Sequence, residues 1–487
     1  MRTGEQYLAA IDDGRCTYFR GRRIARIADD PTLLAMARNT AAEYDRFYSP
    51  EPGAINELLV APRSRDELRD RASVVATIEE TMIATYLALM SLKSAAPKLP
   101  GVYGDRARAY VEYATERDIR VAQCISDVKG NRSLAPKAQP DPDAYLRVVD
   151  RRPDGIILRG AKIHISGASL SDELLVMPTK AMKPGEEDYA VACAVPVATP
   201  GVIVLNATTY PQDDVPGDHP VSTKSALAEG FVIFDDVFVP HERVFLDGQI
   251  ESSAAIVHSL GPWVRLNGIA RYVRQADQLV GLAHLIAEAN GLERAQHIRE
   301  KIDEMIIHAT LLRAGMEGAI ANAVESEEGF YFPDELLTNV TKYHGAAELN
   351  RMFRHLHDIA GGAVVTAPSS ADLDNDDTAE LVRKYMQGSD KVSGEQRLRL
   401  FIAIRDFTAD SYGGWNSVMN LFSGGSLYAQ RLVARKYYDI DRARCEALQL
   451  AGIDPEPASG RTSDPDHPST PARTVNAAPV ERTGALA

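Results

Sequence analysis

Two short stretches decide how this chain is read: Ser126-Asp127-Val128-Lys129-Gly130-Asn131-Arg132-Ser133 and Gly160-Ala161-Lys162-Ile163-His164-Ile165-Ser166-Gly167. The first gathers a cation, a glycine and turn-forming polar residues, which suits backbone N–H groups and a guanidinium closing round a phosphate or a ring carbonyl. The second ends an alternating strand with a hydroxyl residue and a glycine, where a flat ligand can lie against the backbone. Taken singly, each is also what an ordinary turn looks like.

Outward from these stretches the periodicity changes twice. Thr3 with Gln6 forms a capping pair for an opening helix, Arg15 to Ile27 reads as extended and basic around Arg20-Gly21-Arg22, and Pro31 starts a second helix. Leu68, Ala72, Val75, Ile78, Met82, Tyr86 and Leu89 hold helical spacing, so one long helix is expected from Arg65 to Ser94, followed by another from Val102 to Arg117. From Ala144 to Phe245 the period is two, with strands expected at 144–149, 155–165, 173–178, 189–195, 201–205 and 230–239. After Ser259 the helical period returns, at 275–290, 292–322, 333–360, 378–384, 394–408 and 429–449, long enough for an antiparallel bundle. The expected class is α+β: a mainly helical unit at 1–140, a β barrel or sandwich at 141–260, a helical bundle at 261–453 and a flexible tail at 454–487.

The 487 residues exceed what one ordinary core holds, and 45% hydrophobic with 25% charged residues is the balance of a soluble globular protein. A net charge of −14 argues against broad binding of nucleic acid or anionic lipid, and leaves room for one basic pocket. Cys16, Cys124, Cys193 and Cys445 show no zinc-type spacing, which suits a reducing, cytoplasmic location without a bound metal. No run of about 20 apolar residues occurs, so no membrane span is expected.

The two stretches and their spacing, with Asp141-Pro142-Asp143-Ala144-Tyr145-Leu146-Arg147-Val148-Val149, Phe234-Asp235-Asp236-Val237-Phe238-Val239-Pro240, Ile359-Ala360-Gly361-Gly362 and Ala429-Gln430-Arg431, resemble the 4-hydroxyphenylacetate 3-monooxygenase and 4-hydroxybutyryl-CoA dehydratase family. The likeness runs from Thr3 to Ile453. It implies an acyl-CoA-dehydrogenase-like fold, non-covalent FAD and a homotetramer or homodimer. It also implies that Asp127, Lys129, Gly130, Asn131 and Arg132 line the flavin, that His164 and Ser166 approach the isoalloxazine, and that Gly361, Gly362, Ser423, Gly424 and Gly425 supply a second set of cofactor contacts. A cation or N–H donor near the ring would stabilise the reduced, anionic flavin. Both glycine groups also suit plain helix termination.

The departures from the family pattern are equally informative. Carried over by resemblance, the iron–sulfur ligands of the dehydratase branch fall on Val75, Glu79, Val264 and Arg271, and its catalytic glutamate near Met419, so no such cluster is expected. The phenol-binding histidine of the monooxygenase branch falls on Gln123, which hydrogen-bonds but does not relay a proton as histidine does. The candidate catalytic groups are therefore Arg271, Glu79, His164 and Gln123, with an Arg271–carboxylate pair reading equally as an inert salt bridge. His355 and His357, two apart on a helix, point away from each other and do not suggest a metal site.

The resemblance and the absence of a strand followed by GxGxxG for NAD(P)H imply a monooxygenase that receives FADH2 from a separate flavin reductase and hydroxylates a phenol-like small molecule. The alternatives are a flavin-bound dehydratase or isomerase without iron–sulfur, and a non-catalytic member.

Overall fold

The computed structural model describes residues 1–78, 80–212 and 215–453. The chain opens with α1 (Gly4–Ala10), the β1 (Cys16–Phe19) and β2 (Arg22–Ile24) hairpin and α2 (Pro31–Phe47). Then come α3 (Arg65–Val75), α4 (Glu80–Ala95) and α5 (Val102–Glu116). Thr3 and Gln6 form the expected capping box, and the Asp30 carboxylate accepts from Thr32 and Leu33 N–H at 3.1 Å to start α2.

The long helix expected from Arg65 to Ser94 is in fact two. α3 stops at Val75, where Ala76 caps it and the Thr77 hydroxyl donates back to Val74 O at 2.8 Å, competing with continued helix. Ile78 and Met82 are both buried, so the apolar rhythm passes over the break. Glu79 lies outside the described residues.

β3 (Val121–Cys124), β4 (Arg147–Arg152), β5 (Gly155–Ser166), β6 (Glu173–Val176), β7 (Val191–Pro196), β8 (Val202–Ala207), β9 (Glu229–Pro240) and β10 (Val244–Asp247) follow, with the short α6 (Ser222–Ser225) ahead of β9. Among the described residues they make two main sheets, one ordered β2-β1-β8-β9-β5-β4 and the other β10-β7-β6-β3. Val202, Val204, Val232 and Phe234 of the first sheet and Ala122, Cys124, Leu174, Val176 and Cys193 of the second share one buried core, which makes a sandwich. The opposite face of the smaller sheet, with Val121, Leu175, Ala192 and Ala194, packs into the core shared with α2, α3, α4 and α7. β1, β2 and β3 come from before residue 141, and β3 and β10 are strands that sequence pattern alone did not mark.

α7 (Ile250–Ala289), α8 (Gln296–Ala321), β11 (Val324–Glu325), β12 (Tyr331–Phe332), α9 (Glu335–Ala360), α10 (Ala363–Thr366), α11 (Ala379–Tyr385), α12 (Gly394–Thr408), α13 (Ser411–Phe422), α14 (Leu427–Tyr437) and α15 (Ile440–Leu450) complete the described chain. α7 begins before Ser259 and carries Pro262 inside it. α13 lies between the helices expected at 394–408 and 429–449, where none was expected, and the single helix expected over 429–449 is interrupted between α14 and α15. No helix among the described residues is long and apolar enough to cross a membrane.

Candidate functional site

The loop after β3 is held by a buried ion pair. Lys162 Nζ lies 2.8 Å from Asp127 Oδ1, both side chains 2% exposed, and donates further to Ile125 O at 2.8 Å and Met177 O at 3.0 Å. Asp127 Oδ1 also accepts from Leu146 N–H at 2.9 Å. Asp127 is thus committed to tying the loop to β5, a role its sequence context did not disclose. Burial of both charges is tolerated because every strong direction of each is met.

Past this staple the backbone turns through Lys129 (φ 73°) and Gly130 (φ 47°). Gly130 is required by a close approach: a Cβ there would stand 2.6 Å from Gln139 Oε1. Buried Gln139 accepts from Asn131 N–H at 2.9 Å and donates to Asn131 O at 2.8 Å and Leu134 O at 3.1 Å, so it shapes the whole turn. The Asn131 side chain accepts from Ser133 N–H and Oγ at 3.0 and 2.8 Å. Asp127 Oδ1, Asn131 Oδ1 and the Gln139 amide are therefore engaged in holding the turn, which also carries the Lys129 and Arg132 cations.

His164 faces the same cations. It stands in a bulge of β5 where pairing with β9 slips between Lys162 and Ile165, with φ 62°, and it is exposed. Burial, and then Lys129 and Arg132, hold its imidazole below the ordinary value. Burial likewise lowers the half-buried Lys129 ammonium, with Arg132 and Lys162 adding and Asp127 opposing. Three cationic or basic groups thus converge where β5 ends.

Two residues on, Ser166 Oγ donates to Glu229 Oε2 at 2.9 Å, and Trp415 Nε1 on α13 donates to Glu229 Oε1 at 3.3 Å. Glu229 pairs with Ser166 across β5 and β9. It is the site residue that sequence reading missed: β9 was expected to start one residue later, at Gly230, which hides its first cross-strand pair.

Gln123 on β3 alternates with Ala122 and Cys124, so it faces the helices beside Leu175, its partner on β6. Its Nε2 is buried without a hydrogen-bond partner. Arg271 lies on α7 one turn before Arg274, whose Nη1 donates to Ala76 O at 3.1 Å, so this side of α7 runs beside the α3–α4 break. Trp263, 1% exposed, donates to Ser94 Oγ at 2.9 Å and packs edge-on to Tyr86.

On the helical side, Val75 is fully buried at the end of α3. A Cβ added at Gly424 would stand 3.0 Å from Val264 Cγ1, so the glycine turn covers that position. Met419 lies on α13 one turn before it. Among the described residues, no three His, Cys, Asp or Glu side chains are grouped as a metal ion requires.

Gly424 O accepts from Arg265 Nε and Gly425 O from Gln430 Nε2, each at 2.9 Å, after Ser423 has capped α13. Gly361 (φ 79°) ends α9, and Gly361 and Gly362 line an open groove of about 490 Å³ with Arg354, His357 and Ala409. The structure thus brings Lys129, Arg132 and His164 together, with Ser166 two residues further along β5, while the two glycine groups stand at separate helix ends.

A β sandwich enclosed by helices, with a cationic turn at the mouth of its longest hairpin, is the acyl-CoA-dehydrogenase-like fold. The chain belongs to the 4-hydroxyphenylacetate 3-hydroxylase family, whose N-terminal model matches residues 3–246 and whose C-terminal model matches residues 253–452. A 4-hydroxybutyryl-CoA dehydratase/vinylacetyl-CoA-Delta-isomerase of Clostridium aminobutyricum is 27% identical over 489 residues, covering 93% of this chain and 100% of the relative. The 4-hydroxyphenylacetate 3-monooxygenase oxygenase component of Thermus thermophilus is 27% identical over 447 residues, covering 87% and 92%. Among solved structures, the oxygenase component of 4-hydroxyphenylacetate 3-monooxygenase complexed with FAD and 4-hydroxyphenylacetate superposes with TM-score 0.85 at 25% identity, covering 93% of this chain and 99% of that one. An oxygen-tolerant archaeal 4-hydroxybutyryl-CoA dehydratase from N. maritimus gives 0.84 at 25% identity, covering 95% and 97%.

Proposed function

We propose that this chain is the FAD-dependent oxygenase of a two-component pair, taking FADH2 from a separate flavin reductase and hydroxylating a phenol-like small molecule. The observation that carries it is the convergence of Lys129, Arg132 and His164 beside Ser166 and Glu229. This donor set suits FAD: two cations for its anionic part, a hydroxyl for the ring edge, and the unpartnered amide N–H of buried Gln123 for a ring or substrate oxygen. When bound, reduced FAD supplies the activation of O2.

The chain's own residues do the rest. Lys129 and Arg132 hold negative charge, and the Ser166 hydroxyl orients against the ring. The Glu229 carboxylate, steadied by Ser166 and Trp415, takes the phenol proton. Gln123 fixes a substrate oxygen, while Trp263 and Tyr86 keep water out of the helical side. Arg271 is proposed to bind an acidic group of the substrate. The FAD complex of the similar oxygenase component and the FADH(2)-dependent monooxygenase of Burkholderia cepacia among the relatives support this reading. Buried thiols of Cys124 and Cys193 support a cytoplasmic location, and exposed apolar residues along α14 and α15 support a homo-oligomer.

A second reading is a flavin-bound dehydratase or isomerase without iron–sulfur. It is favoured by Glu229, a base whose use needs no oxygen, and by the dehydratase relative matched along its whole length. One experiment separates the two: FAD-loaded protein is supplied with a reductase, NADH and a panel of phenols under ¹⁸O₂, and in parallel with 4-hydroxyacyl-CoA esters under argon. Label in a hydroxylated product supports the oxygenase. Anaerobic loss of water with no labelled product overturns it in favour of the second reading, and no flavin binding at all overturns both.

A further inference from the structure

Glu229 closes a segment that the helical bundle grips at both ends. At the near end, Asp406 on α12 is fully buried and accepts from Val221 N–H at 2.7 Å, from Ser222 N–H at 2.9 Å and from the Ser222 hydroxyl. At the far end, Trp415 on α13 donates to Glu229. Asp406 and Trp415 are rigidly related because α12 and α13 meet in a tight elbow: Asp410 N–H donates to Arg405 O at 2.9 Å, Gly414 N–H donates to Asp410 O at 2.8 Å, and a Cβ added at Gly413 would collide with the Thr408 backbone at 2.3 Å. Phe407 and Tyr412 stack at 6.4 Å across the elbow, and Tyr412 leads to Trp415 at 5.7 Å.

We propose that Asp406 and Trp415 are positioning residues through which the α12–α13 elbow sets the Glu229 carboxylate against Ser166. The inference rests on the reading of that site given above for its effect on turnover, but its geometry is tested without cofactor or substrate. Ser166 Oγ at 2.9 Å and Trp415 Nε1 at 3.3 Å are both donors, and a carboxylate accepts such bonds best when ionised. Titratable groups on the elements around it are Arg159, Lys162 and His164 on β5, Lys224 on α6 and Tyr412 on α13, with His219 3.9 Å from Asp406 at the near end of the segment.

The chain has two tryptophans, so full-length protein labelled with 5-fluorotryptophan gives two ¹⁹F resonances, and Trp415→Phe assigns them. The Trp415 resonance is expected to titrate, and Glu229→Gln to abolish the titration while leaving the Trp263 resonance in place. Ser166→Ala is expected to raise the midpoint by about one pH unit, the loss of one charge-assisted hydrogen bond. Asp406→Asn, with Ser222→Ala as the milder variant if the first does not fold, is expected to shift the midpoint and broaden the Trp415 line alone. In FAD-loaded enzyme, Trp415→Phe moves the acid limb of the rate profile to higher pH. A Trp415 resonance that ignores pH between about 4 and 9, that titrates unchanged in Glu229→Gln, or that does not respond to Ser222→Ala overturns the proposal. Should the titration behave as expected in protein that binds no FAD, the flavin reading falls and the positioning stands.

Discussion

The two sides of the candidate site are built on opposite principles. On the β side, Lys162, Asp127, Gln139 and Asn131 spend their polar atoms on one another, and this leaves Lys129, Arg132 and His164 held outward on a rigid turn. On the helical side, two of the four positions onto which the family resemblance carries iron–sulfur ligands are taken up by apolar packing: Val75 is in the core, and Gly424 lies against Val264. Removing one polar group on the β side would strand another, whereas on the helical side apolar atoms need only fill space.

The largest effect expected from breaking this contrast comes from Lys162→Met. It leaves buried Asp127 without its counter-charge, which costs about 3–5 kcal/mol, and urea unfolding should read that loss together with loss of FAD binding. Next, Lys129→Ala and Arg132→Ala should each weaken FAD about tenfold, the worth of one charge-assisted contact, in a fluorescence titration. Arg271→Ala should lower kcat/KM with little change in FAD affinity, and loss of FAD instead would put Arg271 in the wrong pocket. On the helical side, installing all four ligands by Val75→Cys, Glu79→Cys, Val264→His and Arg271→Cys together should bind no iron on reconstitution, because Val75 lies in the core and the glycine turn packs on Val264.

The most pH-specific effect concerns Lys342. Its ammonium, 1% exposed, donates to Tyr272 Oη at 2.5 Å and to Asn420 O at 3.1 Å, and burial, then Arg265, pull it from 10.5 down to about 7. Between about 7 and 10.5 the unfolded chain holds a proton that the folded chain has released, so stability rises with pH across that window. Lys342→Met should raise Tm most at or below pH 7, and the gain should vanish towards pH 10.5.

Much of the fold was legible in the sequence because local signals and burial agree. Thr3 and Gln6 form the capping box their spacing promises, and α12 runs over the expected residues, opened by a Ser393/Gln396 box that was not marked. β5 and β9 match to within a residue or two, since each buries one face against the other sheet. The α3–α4 break was illegible because Ile78 and Met82 stay buried on either side of it. α13 was hidden by Gly413 and Gly414, which read as loop until Gly413 is seen to permit the elbow. Within the site, the cations were legible and their supports were not: Gln139 lies eight residues from the turn it shapes, and Glu229 joins Ser166 only through strand pairing.

α7 packs against α3, α4, α8, α9 and α12, and so runs through the helical side of this contrast. Its 40 residues make a rod about 60 Å long, with Pro262 a third of the way along. Trp263 and Val264 follow the proline directly, and Arg271 and Tyr272 stand two turns beyond. A change of tilt at the proline would therefore displace Arg271 and Tyr272 relative to Trp263 and Val264.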